Sequence, residues 1–70
     1  MHRIAVNSSN LRSVGYNAQH QVMEIEFHDG SIYRYSGVPV SVYRGLMAAG
    51  SKGRYHHAFI RGRFPYAQVA

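Results

Sequence analysis

The chain is predicted to fold as one α+β domain spanning residues 1–70, an antiparallel meander of three strands, or four, with two helices packed on one face. Three observations carry this. Within Gln21 to Phe27, Met23, Ile25 and Phe27 alternate with Glu24 and Glu26, the period of a half-buried strand. Asp29-Gly30 then separates two alternating runs, and glycine supplies the positive φ that a tight hairpin needs. After Pro39 the residues Val42, Tyr43, Leu46 and Met47 recur at helical spacing.

The hairpin admits two registers. A two-residue loop of Asp29-Gly30 sets Ile25 opposite Arg34 and Glu24 opposite Tyr35, which mixes charge into both faces. A three-residue loop, His28-Asp29-Gly30, sets Ile25 opposite Tyr33, Met23 opposite Tyr35 and Glu24 opposite Arg34. One face is then apolar and the other carries an opposite-charge pair, so the second register is preferred. Tyr33 and Tyr35 consequently face the core, where the first helix is expected to cover them.

The other elements follow in order. Arg3 to Val6 reads as a short first strand with Ile4 and Val6 on one face. Asn7-Ser8-Ser9-Asn10 is a turn, because short polar side chains bond nearby backbone groups. Leu11 to Tyr16 is a strand in which Leu11 and Val14 cannot share a face under strict alternation, so a bulge is expected near Ser13. A four-residue connection at Asn17 to His20 would set Val14 opposite Met23. Pro39 suits the start of the first helix, where its missing donor costs nothing, and Gly50 ends it. Gly45 weakens that helix by about 1 kcal/mol relative to alanine, so it depends on packing. Ser51 caps a second helix from Lys52 to Arg61, with Tyr55, Phe59 and Ile60 inward and Arg54, His57, Ala58 and Arg61 toward water. Gly62 lies just past its end, and Phe64-Pro65-Tyr66 docks through its aromatic rings.

At 70 residues a deep catalytic cleft is not expected. No cysteine is present, which excludes disulfides and thiolate metal sites. No apolar run is long enough to span a bilayer, and the start of the chain lacks a signal-peptide core, so a soluble cytoplasmic protein without membrane contact is expected. The net charge is +5, yet the acids Glu24, Glu26 and Asp29 all lie near one hairpin. From residue 30 onward the chain carries Arg34, Arg44, Lys52, Arg54, Arg61 and Arg63 and no acid. That asymmetry favours an acidic partner, of which nucleic acid is the commonest.

Ser8-Ser9-Asn10, Gly15-Tyr16, the alternation from Met23 to Phe27, Gly30, Tyr33-Arg34-Tyr35, Val38-Pro39, Tyr43, Ser51-Lys52-Gly53, Tyr55, Ile60-Arg61 and Pro65-Tyr66 together resemble the KTSC domain. The resemblance runs from about Val6 to Val69 and departs from the usual pattern at His56-His57 and Phe59. That family is named for a C-terminal extension of some lysyl-tRNA synthetases and also occurs as small stand-alone bacterial and phage proteins. What the resemblance implies is an RNA partner, tRNA in that context, and no catalytic residues.

The candidate nucleic-acid-binding residues are Arg44, Lys52, Arg54, Arg61 and Arg63. Ser51-Lys52-Gly53 offers free backbone donors at a helix start, and Arg61-Gly62-Arg63 offers two guanidinium forks suited to phosphate. The sheet is a poorer platform, with its tyrosines inward and Glu24 and Glu26 outward. His56 and His57 point about 100° apart on a helix and do not chelate one ion, so neither a metal nor any cofactor is expected. Ser8, Ser9, Ser13 and the histidines fall into no nucleophile-and-base motif, so no enzyme is expected. The competing reading is a protein-interaction module using exposed aromatic residues near Phe64 and Tyr66, with a monomer as the default state.

Overall fold

In a computed structural model describing residues 1–70, the hairpin register is the one in which charge and apolar surface separate. β3 (Val22–Phe27) pairs antiparallel with β4 (Ile32–Tyr35), setting Met23 opposite Tyr35, Glu24 opposite Arg34 and Ile25 opposite Tyr33. Gly30 takes φ +92°, and Phe27 N–H donates to the Ser31 carbonyl at 2.9 Å to close the loop.

The sheet has five strands in the order β1-β2-β3-β4-β5, all neighbours antiparallel. β1 (Arg3–Ala5) and β2 (Leu11–Asn17) precede the hairpin, and β5 (Tyr66–Gln68) adds a strand beyond the three or four expected. The ladder shifts between Leu11 and Ser13, so Arg12 is the bulge residue that lets Leu11 and Val14 both turn inward. Val14 pairs with Ile25 and Tyr16 with Met23, which corrects the expected pairing of Val14 with Met23. The loop sits one residue later than expected: Gln21 adopts φ +55° and Asn17 Oδ1 accepts from His20 N–H at 3.1 Å. A two-residue change of partner preserves the faces, so the core survives the correction. Ile4 is exposed, whereas Val6 packs against the core.

The tail docks through its backbone as well as its rings. Val69 N–H donates to Ile32 O at 2.8 Å, and Ser36 N–H to Pro65 O at 2.9 Å, so residues read as an aromatic anchor become an edge strand. Tyr66 stays 61% exposed.

Leu11, Val14, Met23 and Ile25 form the sheet side of the core, and Leu46 and Ile60 reach it from the helices. α1 (Val40–Ala48) starts after Pro39 and stacks Tyr43 on Tyr16 of β2, ring centroids 4.7 Å apart and nearly parallel. The Tyr16 hydroxyl donates to the Val38 carbonyl at 2.6 Å, tying the sheet to the helix approach. Gly45 of α1 faces Tyr55: a Cβ there would lie 2.6 Å from Tyr55 Cζ. The absent side chain is thus the slot for a ring of the second helix, which repays the helix-propensity loss through packing.

α2 (Lys52–Tyr55) is capped by Ser51, whose Oγ accepts from Arg54 N–H at 3.3 Å. It runs directly into a π-helical turn, His56–Ile60, in which Arg61 N–H donates to His56 O at 2.8 Å. The wider turn adds one residue, so Ile60 takes the inward position that regular spacing from Tyr55 assigns to Phe59. Phe59 is 53% exposed, a second correction, although its ring still lies 4.8 Å from that of Tyr55. His56 rotates toward the sheet instead. Gly62 at φ +74° then reverses the chain toward β5.

Candidate functional site: an aromatic recess beside Arg61

Tyr35 and Tyr33 point to the helix side of β4, as their register requires, but only Tyr35 is buried, at 4% exposure. The ring set against Tyr35 is that of His56, from the π turn: Tyr35 Oη and His56 Nε2 share a hydrogen bond at 2.8 Å. His56 also meets Phe27 edge-on at 5.2 Å. Tyr33, two residues nearer the hairpin, is half-buried, its ring 5.5 Å from Tyr66 and 5.7 Å from Phe27. The expectation that α1 seals both tyrosines is therefore corrected: Tyr35 is covered by His56 of the π turn, and Tyr33 and Tyr66, nearer the β5 edge, stay partly open.

What they leave is a recess of about 440 Å³. Phe27, Tyr33, Tyr35 and Tyr66 supply its apolar wall, with His56 beside them, and Asp29, Ser31, Arg61 and Gly62 supply its polar rim. Volume and lining suit a small organic group. Sequence reasoning missed this site because it placed both tyrosines inside. The legible signal was a surplus of rings, with Tyr66 following Tyr33 and Tyr35 on a chain too short to bury them all.

The electrostatics of the recess follow from its partial burial. Desolvation, with the neighbouring Tyr33 and Tyr66 hydroxyls, pushes Tyr35 up to about 12, against a smaller opposing pull from Arg61. Desolvation also holds His56 below its ordinary value, helped by the positive charges of Arg61 and His57. Both partners of the Tyr35–His56 bond are thus neutral at pH 7. Asp29 is held below the usual carboxylate range by the Ser31 hydroxyl and backbone N–H, both donating to Oδ1, at 2.6 and 2.9 Å.

The five candidate basic residues do not form one cluster. Arg61 lines the aromatic recess and Arg63 follows, exposed, after Gly62. Arg54 lines a different, shallow depression with Ser9, Asn10, Ser51, Gly53, His57 and Ala58. Lys52 Nζ donates to Ala49 O at 3.2 Å, tying it to the end of α1, and Arg44 is exposed on α1 itself.

The opposite face of the sheet is a closed ionic arrangement. Glu24, 4% exposed, accepts from Arg3 Nη1 at 2.9 Å and from Arg34 Nε and Nη2 at 2.9 and 2.6 Å, and Ser13 Oγ donates to Glu26 at 2.9 Å. Burial on its own raises the Glu24 carboxyl, but hydrogen bonds and charge from Arg34 and Arg3 together hold it below the ordinary range. Arg3 and Arg34 are committed there, whereas Arg61 has no carboxylate partner, since both ion pairs fall on Glu24.

These shifts fix a pH dependence. His56 binds its proton less readily folded than unfolded, so its contribution to stability is complete above pH 6.5 and is lost as pH falls toward its folded value. Glu24 is likewise depressed, so its contribution is complete above about 4.5 and is lost as pH falls further. Thermal melting followed by circular dichroism is expected to be level from neutrality to about pH 10, above which the raised Tyr35 costs stability, and to decline in two stages on the acid side, the lower one shared by Glu24 and Asp29. His56→Gln should remove the upper stage alone; its persistence in that variant would assign it to another group.

The pattern that defines the KTSC domain matches residues 7–64 of this chain. The chain belongs to the KTSC domain family. This KTSC domain is 47% identical over 55 residues to an uncharacterized protein of Stutzerimonas stutzeri (strain A1501), covering 79% of this chain and 78% of that one. It is 40% identical over 60 residues to a lysine–tRNA ligase of Trichormus variabilis, covering 86% of this chain and 11% of the ligase. The chain therefore spans a small part of that enzyme's length. Its backbone is similar to the crystal structure of a KTSC domain protein from Yersinia pestis, with a TM-score of 0.93, 36% identity, and 99% and 97% of the two chains covered. KTSC domains thus stand both as small proteins and as segments of a tRNA ligase. No helix of this one is long and apolar enough to cross a membrane.

Proposed function

We infer that this KTSC domain is a small non-catalytic module that binds RNA, with tRNA the leading class, through Arg61 and Arg63 beside the aromatic recess. Arg44, Lys52 and Arg54 act as outlying phosphate contacts. The observation that carries the reading is an unpaired guanidinium, Arg61, on the rim of a recess lined by Tyr33, Tyr35 and Tyr66. Aromatic faces stack bases and arginine forks pair with phosphate, so that pairing suits a flexible single strand. The net charge of +5 and the ligase relatives support the same partner. A Tyr35 hydroxyl pushed up to about 12 is the reverse of what a phenolate nucleophile or base requires, which favours binding over catalysis.

Affinity for bulk RNA should fall steeply with salt. Arg61→Glu/Arg63→Glu should weaken it and reduce the salt slope by about 1.4, from roughly 0.7 per phosphate contact on a single strand. An unchanged slope would remove both residues from the interface. A second reading, a protein-interaction module, draws on the exposed rings of Tyr66 and Phe59 and on the free edge of β5. Concentration-dependent association without RNA binding would select it.

A further inference from the structure

The recess holds two opposite charges that the fold leaves uncombined. Asp29 and Arg61 both line it, yet they form no ion pair with each other. Ser31 fixes the Asp29 carboxylate by two hydrogen bonds, both to Oδ1, so Oδ2 is turned to no partner within the chain. The same recess is lined by rings that the fold only partly covers: Tyr33, stacked on Tyr35 at 6.4 Å, is half-buried, and Tyr66, 5.5 Å from Tyr33, is 61% exposed. A ligand complementary to this arrangement has a flat aromatic body, an edge that donates hydrogen bonds to a carboxylate, and a negative group for a guanidinium.

We propose that the recess takes one unpaired base of an RNA strand, guanine in preference to the others, with its ring against Tyr33 and Tyr66, its donor edge toward Asp29 and an adjoining phosphate on Arg61. The inference rests on the RNA-binding reading above and narrows it to one base. Guanine presents two neighbouring donors, N1–H and the N2 amino group, which can converge on the one free carboxylate oxygen, Oδ2. Uracil offers one N–H flanked by two carbonyl oxygens, which the same carboxylate repels. Adenine and cytosine donate from a single amino group beside a ring-nitrogen acceptor. The recess volume, about 440 Å³, falls within the range of small-ligand sites, roughly 300–1,000 Å³. Stacking alone tolerates any base, so selectivity depends on Asp29.

The test compares the ribonucleotides UUGUU and UUUUU at equal salt, with the Tyr33 and Tyr66 ring resonances followed during titration. UUGUU is expected to bind about tenfold more tightly and to shift both rings, in line with the discrimination a good side-chain-to-base pairing supplies. Asp29→Asn replaces an acceptor with a donor at the rim and should bring the two oligonucleotides to equal affinity while leaving the salt slope unchanged. Equal binding of the two by the unmodified protein, with both rings shifted, overturns the choice of guanine. Salt-dependent binding of both with neither ring shifted overturns the base pocket and leaves RNA binding standing on the arginines. Absence of binding to either at low salt overturns the pocket and the RNA reading together.

Discussion

Ile60→Ala is expected to lower the unfolding free energy by about 2–5 kcal/mol, the usual loss for a fully buried isoleucine. A chain of 70 residues has roughly 3.5–10 kcal/mol in total, so this one change removes a large share. The effect belongs at the upper end because of what Ile60 holds. It is the buried residue of the π turn, and that turn carries His56 to Tyr35 and delivers Arg61 to the recess rim. Urea unfolding measures the loss. Phe59→Ala, one position earlier, is the control: with its ring more than half exposed, it should cost far less. Equal losses at the two positions would contradict the π-turn register.

The second large effect is at Gly45. On helix propensity alone, Gly45→Ala should stabilise α1 by about 1 kcal/mol. The slot reverses the sign, because the new methyl meets the Tyr55 ring, and overpacking of this kind costs about 1–3 kcal/mol. The net expectation is destabilisation, growing with Gly45→Val. The atom nearest to the added carbon is the Tyr55 hydroxyl oxygen, so Tyr55→Phe should recover part of the loss. A double-mutant cycle on Gly45→Ala and Tyr55→Phe therefore predicts a favourable coupling; additive losses would mean that the two side chains do not compete for space.

The parts of this fold legible in the sequence were those in which charge and apolar surface alternate strictly. Glu24 opposite Arg34 followed from the cost of placing either on the apolar face, and the bulge at Arg12 from the spacing of Leu11 and Val14. Where backbone geometry departs from regular periods, the residues carried little warning. Gln21 at positive φ moved the β2–β3 loop, because side-chain chemistry does not mark a non-glycine residue for that conformation. The π turn closed by the bond from Arg61 N–H to His56 O keeps Ile60 inside as expected, turns Phe59 outward and brings in His56, which the sequence offers only as a poor metal ligand and a departure from the family pattern. β5 is short and exposed, with no apolar alternation to announce it, and its pairing rests on backbone groups such as Ile32 O.

The candidate site was half visible. Arg61 and Arg63 stand out by charge, but strand alternation places Tyr33 and Tyr35 inside on a face expected to be covered, and of the rings beside Arg61 only Tyr66 reads as exposed. Coverage depends on what the helices deliver: His56 of the π turn covers Tyr35, and Tyr33 and Tyr66, nearer the β5 edge, stay partly open. Arg54 and Arg61 also sit in separate concavities, so a run of positive residues along the chain did not become one continuous surface.

Chemical-shift mapping of the labelled protein with a short single-stranded RNA locates the binding surface. Perturbations are expected to gather at Tyr33, Tyr66, Arg61 and Gly62, with the Arg3–Glu24–Arg34 face silent. Perturbations confined to that ionic face, or spread evenly over every exposed arginine, would contradict that placement.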